Sequence, residues 1–370
     1  MPIFFFIVSV ISSIIYFIII ISLLVGLIKK TSEISSQKYK VSVVVSAHNE
    51  SNNIANCLDD LLKQKYDKNL IEIIVVNDRS KDDTGDILNR YVSKHKIIKT
   101  LTIKDSDYSL SPKKYALSKA IDISNGEIIL STDADCRLNK LWISSMVSCF
   151  TPEVGAVAGL VILNPTNWIF SYLMTIDAIM NNLIIHGTLG LGFAVACKGG
   201  NFAYRRCVFE EVGGFRGLDR SLSGDDDLFI QKISSKSNWK IRSCVIKSSL
   251  VESSAPGNLI HYLNQRKRHI SASKYFKKIV QFAYLIYFFS KIFMLNSFLY
   301  ILYYNGFDNA MIQLMLSLYV ATLILLIYSS KNNIQKKYLI LYPIWEIYYV
   351  INHIVIGPFA LLGKVKWGKR

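Results

Sequence analysis

The segment EIILSTDADC, residues 127–136, joins a short apolar run to two aspartates that are separated only by Ala134. The run EIIL has the length and composition of a buried β-strand. Asp133 and Asp135 stand together where this strand ends, although like charges repel each other. A divalent cation would relieve the repulsion, and Mg²⁺ or Mn²⁺ usually takes phosphate oxygens as further ligands. From the spacing alone, a solvated turn with a helix cap is the commoner explanation.

Strands and helices alternate on both sides of this segment. The predicted strands are KVSVVVSAHNE (40–50), IEIIVVNDRS (71–80), LTIK (101–104) and EIILSTDAD (127–135). Such apolar strands between helices predict an α/β fold with a mostly parallel sheet, in which ligands bind beyond the carboxyl ends of the strands. Those ends are polar here: His48, Asn49, Glu50, Asn77, Asp78, Asp133 and Asp135. The absence of GxGxxG after the first strand and of any GxxxxGK[ST] disfavours a Rossmann dinucleotide site or a P-loop.

Four apolar segments lie outside this α/β region. The chain has 370 residues, a net charge of +16 and a mean hydropathy of +0.29, which is too apolar for an ordinary soluble domain. The candidate membrane spans are 2–28, 279–304, 310–328 and 338–363. Each is long enough to cross a bilayer. The first lacks a basic start and a small-residue cleavage site, which favours a retained anchor over a signal peptide.

Two apolar stretches are interrupted by ionisable residues. Residues 167–197 contain Asp177 and are predicted to form a helix that faces the core or an interface, rather than a span. In 338–363, Glu346 and His353 are seven residues apart and share a helix face. Such residues are functional candidates inside a membrane, but they are simply hydrated if this segment is re-entrant or interfacial. The basic tail 364–370 favours a re-entrant or interfacial segment, because its charge conflicts with a single crossing of the membrane by 338–363.

These segments divide the chain into an N-terminal anchor (1–35), a globular domain (36–275) and a C-terminal membrane region (276–370). Basic residues, including Lys29 and Lys30, flank the spans on the side of the globular domain, which the positive-inside rule places in the cytoplasm. Anionic lipid and anionic substrates explain this charge better than nucleic acid does. The six cysteines show neither a CxxC pair nor zinc spacing, which indicates reduced thiols. Cys136 is expected to pack, because thiolates prefer softer metals.

Seven short motifs occur in the order found in membrane-bound family 2 glycosyltransferases. They are VSVVVSAHNE (41–50), IIVVNDRSKDDT (73–84), SPKKYAL (111–117), STDADC (131–136), GGNFAYRR (199–206), SGDDDL (223–228) and QRKRH (265–269). Over about 40–275 the chain resembles this family, which includes cellulose, chitin, hyaluronan and poly-N-acetylglucosamine synthases and ceramide glucosyltransferase. The resemblance implies a GT-A nucleotide-sugar-binding domain, a divalent metal, Mg²⁺ or Mn²⁺, and inverting transfer from a nucleotide sugar, expected to be a UDP-sugar.

The resemblance also implies roles for individual residues. The matching positions would hold the nucleoside (Ala47, Asn49, Glu50, Asp78), meet the diphosphate (Lys113, Asp133, Gln265, Arg268) and bind the metal (Asp133, Asp135). Asp226 matches the general base, and Asp225 precedes it where the family often has glutamate. Adjacent acids raise one another's pKa, which suits a base. Solvent exposure is the alternative for this acidic run and for Lys113, as it is for most charged side chains.

His269 stands where the family has a tryptophan that borders the acceptor sugar in processive synthases. This difference, and the small number of spans, favour a single transfer to a lipid hydroxyl at the membrane; an interfacial role for His269 is the alternative. We therefore expect an integral membrane glycosyltransferase, in the inner membrane of a bacterium, with its catalytic domain in the cytoplasm. The other hypotheses are a processive polysaccharide synthase, with a saccharide acceptor, and a non-catalytic assembly subunit.

Overall fold

The computed structural model describes residues 3–28, 34–104, 110–304, 309–330 and 334–362. Their strands are β1 Val41–Ala47, β2 Ile71–Asp78, β3 Ile98–Ile103, β4 Ile128–Asp133, β5 Arg137–Leu138, β6 Val154–Gly159, β7 Val161–Asn164, β8 Phe202–Arg205, β9 Lys240–Cys244 and β10 Val251–Ser254. Their helices are α1 Ile3–Ile28, α2 Ile54–Leu62, α3 Thr84–Lys94, α4 Pro112–Asp122, α5 Trp142–Val147, α6 Ser171–Gly190, α7 Arg206–Glu211, α8 Asp227–Lys236, α9 Leu259–Ala272, α10 Lys278–Tyr304, α11 Asn309–Ser329 and α12 Tyr342–Leu362. The tail 364–370 and residues Lys29 and Lys30 lie outside the described ranges.

The main sheet has seven strands in the order β3-β2-β1-β4-β8-β6-β9. Strand β8 runs antiparallel to both neighbours, whereas the other pairs are parallel. This arrangement confirms the predicted α/β fold with a mostly parallel sheet. The register places Ala47 opposite Asn77 and Ser46 opposite Asp133. The polar ends of β1, β2 and β4 therefore meet at one edge, as the sequence predicts.

Two apolar layers cover this sheet because alternate strand residues point to opposite faces. Val43 and Val45 of β1 pack in one layer with buried residues of α2 and α5. Val44 lies in the other layer, with buried residues of α4 and α8. Both faces of the central strands are thus buried, which explains their β-branched, nearly continuous apolar sequence.

The helix predicted within residues 167–197 is α6, and it packs directly against α1. A Cβ on Gly26 would lie 1.9 Å from the Gly187 carbonyl oxygen, and a Cβ on Gly190 would lie 1.9 Å from that of Gly26. Only glycine allows this approach of the two backbones. Buried side chains of α1, α6, α10, α11 and α12 form one apolar cluster beside the sheet domain.

Within the described residues, two segments are helical, long and apolar enough to cross a membrane: Val10–Ile28 and Gln335–Leu361. Leu316–Tyr328 forms a shorter apolar helix. The predicted segments 279–304 and 310–328 correspond to helices α10 and α11. Helix α12 continues through Pro358 without a break, so its backbone does not turn back as a re-entrant segment would.

Candidate active site

Asp133 and Asp135 lie at the carboxyl end of β4, with Asp133 as its last residue. Oxygen atoms of the two carboxylates and the Cys136 sulfur lie within 4.8 Å of one another. Ser253 on β10 donates a hydrogen bond of 3.2 Å to Asp135 Oδ2 and holds this carboxylate from the opposite side. Asp135 is exposed to solvent, yet the protein around it displaces part of its water, and this desolvation, and then repulsion from Asp133, raise its pKa. Asp133 has Lys113 as a direct partner, whereas the charge of Lys113 acts on Asp135 more weakly than desolvation and Asp133 do.

The donor atoms of this cluster fit a hard divalent cation. Carboxylate oxygens are the ligands that Mg²⁺ and Mn²⁺ prefer. Burial, and then the charges of Asp135 and Asp133, raise the pKa of the Cys136 thiol, so the sulfur stays protonated and is a poor ligand. Asp133 and Asp135 are therefore the two side chains that would hold the metal.

Lys113 connects these aspartates to a second acidic group. Its Nζ lies 2.8 Å from Asp133 Oδ1 and 2.9 Å from Asp225 Oδ2. Burial disfavours the charged ammonium, but Asp133, Asp225 and Asp226 outweigh this effect and raise its pKa. The solvated alternative for Lys113 is therefore wrong, because its side chain is only 15% exposed and bridges two carboxylates.

Asp225 and Asp226 have different environments although they are adjacent. Asp225 is buried, and its pairing with Lys113 overcomes the effect of burial and lowers its pKa. Asp226 caps α8: its Oδ1 accepts from the Asp227 amide at 2.7 Å and its Oδ2 from the Gly199 amide at 2.8 Å. Burial, and then the charge of Asp225, raise the pKa of Asp226. Lys113 thus favours the ionised form of Asp225, whereas Asp226 is the more basic carboxylate of the two.

A glycine pair separates the two acidic groups. A Cβ on Gly199 would lie 3.2 Å from Asp226 Oδ2 and from Lys113 Nζ, and one on Gly200 would lie 3.2 Å from Asp133 Oδ2. Larger residues would push the carboxylates apart. The sequence shows Gly199 and Gly200 as part of a motif, but their position between the two groups follows only from the fold.

The residues predicted to hold a nucleoside line the ends of β1 and β2. Asn49 has a left-handed backbone (φ 56°), and its Oδ1 accepts from the Lys81 amide at 2.8 Å, which ties the two loops together. Asp78 is buried and pairs with Arg79 at 2.8 Å. Ala47 is fully buried at the end of β1. The roles of these residues toward a nucleoside stay predictions.

Glu50 completes this rim of the sheet. Burial raises its pKa to about 7, and the nearby charges of Asp135 and Asp133 add to the effect. A hydrogen bond of 2.8 Å from Asn53 to its Oε2 acts in the opposite direction. Glu50 is thus close enough to the aspartate pair to respond to any charge that is bound there.

Helix α9 brings Gln265, Arg268 and His269 to the domain. The imidazole of His269 keeps a face accessible to solvent, yet the protein around it displaces much of its water. This desolvation, and then the charges of Arg268, Lys198 and other cations that include Lys113, lower its pKa well below the usual range. The cations that act on His269 are Arg268, Lys198, Arg266 and Lys113, and they define a cationic region around it. The roles of Gln265 and Arg268 toward a diphosphate stay predictions.

Two cations of this region are absent from the predicted site. Lys198, directly before the glycine pair, acts on the pKa values of His269, Asp227 and Asp177. Arg266 pairs with buried Asp177 on α6 at 2.5 Å, which docks α9 onto α6. The sequence signal for Lys198 is its place beside Gly199, whereas nothing local pairs Arg266 with Asp177.

Comparisons with known proteins identify the family and the fold type of this chain. Residues 128–356 match the family model "Glycosyl transferase family group 2", and residues 42–213 match "Glycosyl transferase family 2". The first match spans more than half of the chain. The chain belongs to the family 2 glycosyltransferases. Its fold is of the GT-A type: a mannosyltransferase from Pyrobaculum calidifontis, PcManGT, superposes with a TM-score of 0.61 over 93% of this chain and 98% of that chain, at 17% identity.

Each of the relatives matches only a part of this family 2 glycosyltransferase. The "Probable glycosyltransferase YdaM" of Bacillus subtilis is 33% identical over 208 residues, which are 55% of this chain and 49% of that protein. The "Beta-monoglucosyldiacylglycerol synthase" of Nostoc sp. is 31% identical over 118 residues, 32% of this chain and 25% of that protein. The chain thus spans about half or less of the length of these relatives.

Proposed function

We propose that this family 2 enzyme is an inverting, metal-dependent glycosyltransferase that transfers a sugar from a nucleotide sugar to a hydroxyl of a membrane lipid. The observation that carries the proposal is the bridge of Lys113 between Asp133 and Asp225. Asp133, which would bind the metal, and Asp225, which directly precedes the proposed base Asp226, contact the same ammonium. Direct transfer of a sugar needs a metal site and a base, and the residues proposed for these two roles are adjacent.

The donor would bind with its diphosphate at the cationic side of the site. Asp133 and Asp135 would hold Mg²⁺ or Mn²⁺, which when bound would neutralise charge on the diphosphate. Arg268 and Lys198 are within electrostatic range of His269, and Arg268 would face the leaving diphosphate. PcManGT, which shares the fold, has been determined in complex with GDP-Man and Mn²⁺, a donor and metal of the proposed classes.

Asp226 would act as the general base. Its two oxygens accept from the amides of Asp227 and Gly199, so the carboxylate is oriented before the acceptor arrives. Its raised pKa allows it to take the proton of a hydroxyl that attacks the anomeric carbon. Direct attack from the face opposite the leaving diphosphate would invert the anomeric centre.

The acceptor would reach the site from a membrane. Large apolar side chains are exposed along three of the helices outside the sheet domain: Ile11, Ile14, Phe17, Ile18 and Val25 on α1, Phe282, Leu285 and Phe289 on α10, and Ile351, Ile354 and Val355 on α12. An apolar surface of this extent fits lipid. Helix α9, with Arg268 and His269, ends six residues before α10 begins. The catalytic domain would then lie at the cytoplasmic face, as the basic flanking residues indicate.

Relatives differ in the acceptors that their names imply. The Nostoc relative is named as a synthase of a glucosylated diacylglycerol. A Bacillus spizizenii protein, 38% identical over 96 residues (26% of this chain and 15% of that protein), is named "Poly(ribitol-phosphate) beta-glucosyltransferase". A polymer acceptor is therefore the second candidate. The extent of apolar helix surface favours the lipid.

The test uses the full chain in detergent with Mn²⁺, a panel of UDP- and GDP-sugars and a bacterial lipid extract. We expect release of nucleoside diphosphate with one sugar donor, activity that is lost in EDTA, and a labelled product that enters organic solvent. Asp226→Asn should bind the donor without turnover, whereas Asp122→Asn, at the exposed end of α4, should behave as wild type. Normal turnover by Asp226→Asn would refute the base, and a high-mass aqueous product would favour the polymer.

A further inference from the structure

Two lysines hold the loop that leads to the candidate base. This loop, residues 213–224, connects the end of α7 to Asp225 and Asp226. Lys232 of α8 donates to the carbonyls of Gly214 at 2.7 Å and Arg216 at 2.8 Å, in the first half of the loop. Lys114 of α4 holds the second half. The loop is thus attached through its main chain to two different helices.

The contacts of Lys114 use every hydrogen of its ammonium. Its Nζ donates to the carbonyls of Leu218 at 2.7 Å, Ser221 at 2.6 Å and Ser223 at 2.8 Å. An ammonium has three donors, and among the described residues its hydrogen-bond partners are all main-chain carbonyls. The side chain is fully buried, and burial lowers its pKa to about 8. A buried lysine without a paired carboxylate is unusual, so its contacts need an explanation.

The position of Lys114 next to Lys113 explains these contacts. Lys113 and Lys114 are adjacent in the first turn of α4: the former binds Asp133 and Asp225, and the latter binds the loop up to Ser223. Only Gly224, with a left-handed backbone (φ 91°), separates Ser223 from Asp225. The first turn of α4 therefore holds the chain on both sides of this glycine. Any shift of the loop would act on Asp225 and Asp226 through a single residue.

We propose that Lys114 is a positioning residue for sugar transfer, which holds residues 218–223 so that Asp225 stays on Lys113 and Asp226 faces the acceptor. Lys114 touches neither donor nor acceptor in this role. The inference rests on the proposed function of Asp226 as the base. It predicts an effect on turnover that is separate from donor binding.

The test compares Lys114→Met with wild type, using the donor that wild type turns over best. We expect kcat to fall about 100-fold, as for other small displacements of catalytic groups. The Kd of the nucleoside diphosphate with Mn²⁺, measured by calorimetry, should stay within about 2-fold, because Asp133, Asp135 and Arg268 are unchanged. Lys119→Met, on the exposed side of the same helix, is the matched control and should leave both values unchanged.

Lys114→Gln and Lys232→Met complete the test. The glutamine amide keeps two donors, so its kcat should lie between those of Lys114→Met and wild type. Lys232→Met releases only the first half of the loop and should lower kcat less. Normal kcat in a folded Lys114→Met protein, an equal loss of donor binding, or failure of both Lys114 variants to fold would overturn the positioning role. Lack of any turnover in wild type would instead reject the proposed function.

Discussion

Among the described residues, two lysines whose side chains are at most 15% exposed pair with carboxylates, Lys113 in the sheet domain and Lys291 in the helices outside it. Lys113, in the sheet domain, lies between Asp133 and Asp225 and is 15% exposed. Lys291, on α10, lies 2.6 Å from Glu346 of α12 and is 1% exposed. Four rings surround its Nζ at 4.7 to 5.6 Å from their centroids: Tyr16, Tyr287, Trp345 and Tyr349. The partners of both lysines are acids from distant parts of the chain.

The two lysine–carboxylate pairs differ in how accessible they are to solvent. One partner of Lys113, Asp133, is 36% exposed, so in the proposed function a cation and an anionic ligand would be able to replace the lysine–carboxylate contact. Glu346 has a second partner in the Tyr342 hydroxyl, and rings from α1, α10 and α12 enclose the pair. A charge pair that is enclosed in this way joins helices, whereas a pair whose carboxylate is partly exposed has room to exchange partners. The same chemistry thus joins helices in one region and, in the proposed function, adjoins bound ligands in the other.

The largest expected effect follows from Lys113→Met. The change removes the cation between the two acidic groups, and transfer should fall by about 100-fold or more, which is typical when a group that stabilises developing charge is lost. The measurement is release of nucleoside diphosphate at saturating donor. Lys119→Met again serves as control. Wild-type turnover in Lys113→Met would show that its bridge takes no part in the reaction.

Lys291→Met should act on stability instead of turnover. It leaves Glu346 buried without its cation, and breaking such a pair costs about 3–5 kcal/mol. We expect a lower midpoint of thermal unfolding in detergent, with unchanged kcat for the molecules that stay folded. The double change Lys291→Met with Glu346→Gln should recover most of the loss, because no charge is then left unpaired. A loss of kcat at normal thermal stability would contradict the distinction between the two lysines.

The smallest effect concerns Glu50 in the open site. Its pKa is raised from 4.5 to about 7, so its protonated form stabilises the folded state fully below pH 4.5, and this contribution is lost as the pH rises through 7. The unfolding midpoint of Glu50→Gln should therefore exceed that of wild type increasingly from pH 5 to 8 in EDTA. Mn²⁺ should reduce the difference, since it offsets the charges of Asp133 and Asp135 near Glu50. A pH-independent difference would contradict the raised pKa.

Local pattern was sufficient for much of the fold and for part of the candidate site. The apolar runs predicted β1, β2 and β4, and the parallel register then had to bring Ser46, Asn77 and Asp133 to one edge. The same patterns located the helix within 167–197 and the apolar helices. These features depend on periodicity and on the direction of strands, both of which can be read from neighbouring residues.

Pairings between distant side chains could not be predicted in this way. The sequence grouped Glu346 with His353 on one helix face, but Glu346 pairs with Lys291, and His353 Nδ1 lies 2.8 Å from the Tyr349 carbonyl oxygen. Likewise, the motif around Lys113 does not reveal that Lys114 holds a loop more than 100 residues later. Such contacts depend on the packing of elements that the chain connects only at long range.

By itself, the sequence determined a mostly parallel α/β domain between apolar helices, with acids at the carboxyl ends of its strands. Strand direction and residue type are local properties, so no knowledge of packing was needed. Only the tertiary structure decided that Asp225 is neutralised by Lys113 while adjacent Asp226 is not, and that Gly199 and Gly200 fit between the carboxylates. The reason is that charge, burial and close approach are set by what lies around a residue in space, and neighbours in the chain do not specify them.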